Sequence, residues 1–258
     1  MVKVVEPSCE IYEGENGDDP FDCFKTLRRI ERCGRISWQS VPRKPKTFEE
    51  GKAKVLELYN KCGRDYLKEY SNRTEAQIIR DFGSLTFLTT VLNANHMSVI
   101  EHSMLTVIFI VDRGFSHELV RHRLCSFTQE STRYNLYSSD KFGNQIRVIH
   151  PFWLKEGSEE YKEWLDCMIM IEKIYLTMTA KGRTAQQARC VLPTCLRTEI
   201  AVTTNLREWR DVIFKLRTAE PAHPQMRQVM IPLLKLLRSR IPLIFDDITV
   251  SEKAEKLE

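Results

Sequence analysis

The stretch Met104 to Val111 (MLTVIFIV) is the longest apolar run in the chain and limits the architecture more than any other segment. Its eight residues fall far short of the roughly 20 needed to cross a bilayer. Its β-branched and aromatic residues are too dense for a helix in so short a run, which predicts a buried strand. Asp112-Arg113-Gly114 then reads as a turn, and Ser116 is placed to cap a helix from His117 onward. Further strands are predicted at Leu196 to Thr203, where residues alternate, at Ile146 to Ile149, and at the N-terminus, where Val2 and Val4 suit a short edge strand ending at Pro7.

Helical spacing fills much of the remainder. Phe48 to Tyr70 repeats Val55, Leu58, Tyr59 and Cys62, and Glu75 to Asn95 carries Ile78, Ile79, Phe82, Leu85, Leu88 and Leu92 on one stripe. Ser158 opens a long amphipathic helix ending near Gly182, and Ala185 to Cys190 forms a shorter one before Pro193. Asn205 with Glu208 resembles a capping box. A last helix runs from Gln225 to Arg240. The acidic stretch Glu13 to Pro20 reads as a loop, Pro42 and Pro45 mark a connection, and the polar tail 251–258 is expected to fray. Helices and strands follow one another without repeats or regular βαβ alternation, which predicts one α+β (irregular α/β) domain over 1–258 built around a sheet.

The charge balance excludes one broad class of function. With 39 Lys+Arg against 35 Asp+Glu the net charge is +4, small for a non-specific polyanion binder. The acidic N-terminal region lacks the apolar core of an export signal, so a cytoplasmic protein is expected. The 8 cysteines include no C-x-x-C pair, so no metal site or redox dithiol is expected and most read as small buried hydrophobes. Neither G-x-G-x-x-G nor a P-loop occurs, so any nucleotide must be held by side chains, and arginine suits that task because its planar fork grips phosphate bidentately.

The segment Glu118 to Tyr134 (ELVRHRLCSFTQESTRY) concentrates such groups: Arg121, His122, Arg123 and Arg133 with Ser126, Thr128, Gln129 and Ser131. On a continuous helix Arg121 and Arg123 would point about 200° apart and could serve two ligands. Taken alone, Arg-His-Arg also reads as a solvated helix end. Asn205 reads equally well as a plain N-cap, Ser131 as a cap or turn residue, and Glu101 with His102 as a buried pair.

Spacing adds a further observation. Arg121-His122-Arg123, seven residues and then Ser131 resembles the RHR-x7-S signature of the flavin-dependent thymidylate synthases. His96-Met97-Ser98-Val99-Ile100-Glu101-His102 is similar to that family's H-x-S-x-x-E-H stretch, and Ala188-Arg189-Cys190-Val191-Leu192-Pro193 to its A-R-x-x-L-P segment. Asn205-Leu206-Arg207 resembles its N-x-R segment. Leu216-Arg217-Thr218 with Ala222 to Arg227 resembles its closing arginine and H-x-Q-x-R element, so that the motif-bearing core covers about 75–240.

The resemblance implies a central mixed or antiparallel sheet with flanking helices, in a homotetramer whose active sites form between subunits. It implies FAD, with NADPH and 5,10-methylenetetrahydrofolate as co-substrates and dUMP as substrate. Carried over by motif, His96, Ser98, Arg121, His122, Arg123, Gln129, Asn205, Leu206 and Arg207 would contact FAD. Glu118, Leu119, Val120, Arg121, Gln129, Glu130, Ser131, Thr132, Arg133, Arg189 and Arg217 would line the dUMP site, with Arg217 in the catalytic role. A guanidinium on the uracil edge would stabilise the negative charge that makes C5 nucleophilic, and no cysteine nucleophile would be needed. Two departures stand out. Asn205 to Arg217 is one residue longer than the family's usual spacing, through Asp211-Val212-Ile213-Phe214, which calls for a small bulge or register shift. Asp211 also stands where the family more often has His or Asn near the flavin. Val41 to Asn72 matches no motif and reads as a surface elaboration. A competing reading uses Arg121–Arg133 as a nucleic-acid contact surface, and another makes the protein a cysteine-dependent thymidylate synthase; neither has a supporting motif, and no nucleic-acid or membrane partner is expected.

Overall fold

The structure, a computed structural model, describes residues 2–12, 23–62, 70 and 72–256. The stretch Glu13 to Pro20, expected as an acidic loop, lies outside the described residues. At the centre stands an antiparallel pair, Met104–Asp112 (β3) against Arg197–Asn205 (β6), in register from Met104 opposite Asn205 to Asp112 opposite Arg197. Ser8–Ile11 (β2) pairs with the other edge of β3, and Ser126–Gln129 (β4) with the other edge of β6, giving the order β2-β3-β6-β4. A separate two-stranded parallel sheet joins Lys3–Val5 (β1) to Arg147–Ile149 (β5).

The apolar run at 104–111 is a strand, as expected, but only one of its faces is buried. Leu105, Val107, Phe109 and Val111 lie in the core, whereas Thr106, Ile108 and Ile110 lie on the open side and Met104 is half exposed. A continuous apolar run conceals the period-2 alternation that would reveal this. Against the buried face pack the helices Cys23–Trp38 (α1), Phe48–Lys61 (α2), Glu75–Asn93 (α3) and Pro224–Arg240, with Trp209, Phe214 and Phe245. A smaller cluster forms where the helix Glu159–Ala180 lies beside β5, around Val148, Met168, Tyr175 and Leu196.

Several boundaries differ from expectation for local physical reasons. The helix expected from His117 instead begins at Arg113 and ends at Leu119 (α4), because Asp112 is its cap and accepts from Phe115 N at 2.6 Å. Ser116 turns its hydroxyl to Arg113 O within that helix. α1, with no counterpart among the expected helices, carries Phe24, Leu27 and Ile30 at helical spacing. The tail is not wholly frayed: Glu252–Glu255 forms a helical turn, Ala254 is fully buried, and the Arg227 guanidinium binds the Ala254 carbonyl at 2.8 Å. Among the described residues, no helix is long and apolar enough to cross a membrane.

Gly34 of α1 sets the approach of the neighbouring elements. A Cβ there would stand 2.6 Å from Phe87 Cζ on α3 and 2.6 Å from Val99 Cγ1 in the short 3-10 helix Met97–His102. Alanine in place of glycine would gain about 1 kcal/mol of helix propensity, whereas overpacking costs about 1–3 kcal/mol. Phe87 is buried and has little room to retreat. Gly34→Ala is therefore expected to destabilise the protein by about 1 kcal/mol net, read by chemical denaturation; a gain in stability would show that Phe87 yields freely.

Candidate active site

The central pair places the motif residues at the ends of β3 and β6. The 3-10 helix Met97–His102 leads directly into β3, and the chain leaving β6 at Asn205 turns directly into a helix. One ion pair ties the two together: Arg207 Nη1 lies 2.5 Å from Glu101 Oε1. Glu101 and His102 are both exposed, so they are not the buried pair allowed by the sequence. Asn205 does act as a cap, its Oδ1 accepting from Glu208 N at 2.8 Å. The reciprocal half of the capping box is absent because the Glu208 carboxylate faces His122 instead, 3.9 Å from its Nδ1.

Arg121-His122-Arg123 does not lie on a helix. α4 stops at Leu119, and the triplet occupies the turn before β4. Exposure alternates along it: Arg121 and Arg123 are exposed while His122 is buried. The buried ring receives Arg217, whose Nε donates to His122 Nε2 at 3.0 Å. Arg217 also donates from Nη1 to Glu118 Oε2 at 2.6 Å and from Nη2 to the Glu118 carbonyl at 2.9 Å. A guanidinium offers five N–H groups and only donates. That assigns the lone pair to His122 Nε2 and the proton to Nδ1, and leaves Arg217 two donors for a ligand. Burial first, and the Arg217 charge second, push the His122 pKa down to about 4, so the ring is neutral at ordinary pH. Burial also raises the Glu208 pKa from its ordinary value.

The chain between Asn205 and Arg217 contains the irregularity anticipated from its length: Glu208–Phe214 is a π-helix. Asp211, within it, faces three cations, Lys215 at 3.0 Å, Arg210 at 3.4 Å and Arg207 at 3.9 Å.

The other candidates separate by environment. His96 and Ser98 are exposed, with the Trp38 ring 5.4 Å from that of His96. Leu119 and Leu206 are fully buried, so their side chains face the core; Thr132 is also buried and Val120 is exposed. Gln129 donates its amide to Ser116 Oγ at 2.8 Å and Thr198 Oγ1 at 3.1 Å. Both Glu130 carboxylate oxygens are engaged, one by Arg197 at 2.7 Å and one by the Tyr137 hydroxyl at 3.1 Å. Ser131 opens a turn, its Oγ accepting from Arg133 N at 3.3 Å. Arg121, Arg123, Arg133 and Arg189 are exposed and, among the described residues, have no carboxylate partner; Arg133 rests on the Tyr134 ring. Arg28, Arg35, Arg197, Arg207, Arg210 and Arg217 all have one. Among the described residues no group of three or more His, Cys, Asp or Glu side chains is placed to hold a metal ion. Sequence reasoning missed Glu208 as a neighbour of His122, because the capping motif gave it a complete explanation.

The buried imidazole has a pH signature. Its folded pKa lies below the ordinary 6.5, so at neutral pH and above it adds no pH dependence to folding. As the pH falls from 6.5 towards about 4, the unfolded chain takes up a proton that the folded one refuses. Stability then falls by up to about 1.4 kcal/mol per pH unit. His122→Gln is expected to flatten this part of the acid-stability curve, and an NMR titration should find the ring still neutral at about pH 5.5. A ring that titrates at its ordinary value would refute its burial against Arg217.

A protein-family profile described as "Thymidylate synthase complementing protein" matches residues 24–243. The chain is 34% identical over 190 residues to the flavin-dependent thymidylate synthase of Corynebacterium aurimucosum, covering 69% of this chain and 76% of that protein. It is 32% identical over 178 residues to the flavin-dependent thymidylate synthase of Pyrococcus abyssi, covering 68% and 70%. In fold it is similar to the UMP/dUMP methylase PolB from Streptomyces cacaoi bound with 5-Br dUMP, with a TM-score of 0.60 at 16% identity over 95% of each chain. The profile spans the central β3–β6 pair and every motif that meets at its ends, and the chain belongs to the flavin-dependent thymidylate synthase family.

Proposed function

We propose that this protein, working as one domain per chain, converts dUMP to dTMP, with 5,10-methylenetetrahydrofolate as carbon donor and FAD reduced by NADPH. The observation that carries the reading is the convergence of Arg217 on Glu118 and His122, residues remote in sequence. It sets a permanently charged guanidinium, with two uncommitted donors, beside the Arg-His-Arg turn. Negative charge developing on the uracil N3, O2 and O4 edge would meet that charge, which makes C5 nucleophilic. Glu118 balances the arginine while no anion is bound, and neutral His122 orients it without adding a second positive charge.

The remaining assignments follow the availability of donors. Arg121, Arg123, Arg133 and Arg189 lack carboxylate partners among the described residues, which suits them to phosphate groups. Arg121 and Arg123, with Ser98, Asn205 and Arg207, would hold FAD, whose bound flavin supplies the hydride that turns the transferred carbon into a methyl group. The donor set fits an anionic dinucleotide, since it combines unpaired guanidinium groups with neutral hydroxyl and amide groups.

The dUMP set is divided within one chain. Arg217, with the His122 that braces it, belongs to the Asn205 end of β6, where Thr204 Oγ1 bonds Leu124 O at 3.0 Å, whereas Ser131 follows Glu130, whose amide bonds Glu199 O, five residues from Thr204 along the strand. Thr204 and Glu199 stand roughly 17 Å apart along β6 at about 3.4 Å per residue. Arg189 precedes the Arg197 end of β6, and it makes no hydrogen bond or ion pair with Arg217. This division favours active sites completed by a second copy within a homotetramer.

At the thiol beside the Arg-His-Arg turn a cysteine route is disfavoured, since burial pushes Cys125 up to about 11. The purified protein is expected to show flavin absorbance that NADPH bleaches, and to form dTMP from dUMP and the folate. Arg217→Ala should lower turnover by about 100- to 1,000-fold with flavin retained, while Cys190→Ala should leave turnover unchanged. A colourless protein that binds nucleic acid with a steep salt dependence would overturn the reading in favour of a nucleic-acid surface.

A further inference from the structure

The helix that carries Arg217 has an unusual backbone. It begins after Asn205, passes into the π form over Glu208–Phe214, and returns to the α form over Lys215–Arg217. A π ladder closes on residue i+5 and occurs mostly as single turns inside α-helices, so a run of 7 residues needs a cause.

The cause lies in how firmly both ends are held. At the start, Asn205 caps Glu208 N, Arg207 pairs with Glu101, and the fully buried Trp209 donates to Leu105 O at 3.2 Å. At the finish, Phe214 is fully buried and Arg217 is fixed by Glu118 and His122. Neither end can turn without losing these partners. Each α-helical residue turns the chain by about 100°, so one residue too many between the anchors would swing Arg217 away from His122 by that amount. A wider π ring takes the additional residue while the flanking side chains keep their directions.

We propose that the π segment is the positioning element for Arg217, taking up one residue of chain so that the guanidinium meets His122 and Glu118. The surplus residue is Val212. Trp209, Arg210, Ile213 and Phe214 are buried, and Asp211 faces three cations, whereas Val212 is only half-buried and its apolar side chain makes no polar contact. This rests on the reading of Arg217 given above, yet its geometry can be tested without turnover.

The experiment compares two single-residue deletions in the full chain. Deletion of Val212 is expected to give a folded, flavin-binding protein that melts no lower than the parent. Its crystal structure should show an α-helix through the segment and Arg217 still on His122 and Glu118, with turnover comparable to the parent's. Deletion of the exposed Leu216, beyond the π segment, should rotate Arg217 off both partners and lower turnover on the order of 100-fold with flavin retained. Failure of the Val212 deletion to fold, or loss of both Arg217 contacts in it, overturns the proposal, as does a Leu216 deletion that keeps them. If the parent itself forms no dTMP, the functional reading fails, and the structure of the Val212 deletion still decides the role of the π segment.

Discussion

The pairing of β3 with β6 is the constraint on which the rest depends. These nine-residue strands are in full register, and one face of each supplies core residues while their ends launch the motif-bearing segments. Because Met104 lies opposite Asn205, the turn carrying His96 and Ser98 and the helix carrying Arg207 must start side by side. A one-residue slip of β3 would turn Val107 and Phe109 out of the core, and a slip of β6 would turn out Ile200 and Val202, so the hydrophobic effect fixes the register and, through it, the site.

Electrostatics then separates two kinds of arginine. One kind is structural: Arg28 reaches the fully buried Asp81, Arg210 reaches Asp247, and Arg227 binds the carbonyls of the tail. Another kind is exposed and, among the described residues, without a carboxylate partner, and an unpaired guanidinium is what a phosphate requires. Arg217 stands between them. It is paired with a half-exposed Glu118 and braced by an imidazole that burial keeps neutral, so its charge is held in place with donors to spare.

Elements with a strong local signal were legible in the sequence. The helix Glu75–Asn93 has its Thr74–Gln77 capping box, the helix Glu159–Ala180 has Ser158 at its start, and Gly182 beyond its end has φ of 83°, a conformation glycine adopts without strain. Less legible were elements whose residues serve the tertiary structure. β2 and β4 are short edge strands whose pairing is decided by the neighbours β3 and β6. The Arg121–Arg123 turn offers good helix formers, yet Leu124 O is drawn to Thr204 and His122 is drawn inward to Arg217, so the chain leaves the helix.

The sequence by itself determined the inventory: the apolar strand, the amphipathic helices, the spaced arginines and the one-residue excess before Arg217. These are properties of order and spacing, which side-chain period and family motifs report directly. Only the tertiary structure decided which arginines are neutralised, which imidazole is buried, and that the excess residue is absorbed as a π-helix rather than a loop. Charge pairing, desolvation and helix register all depend on groups brought together from distant parts of the chain, and no local pattern encodes who those neighbours are.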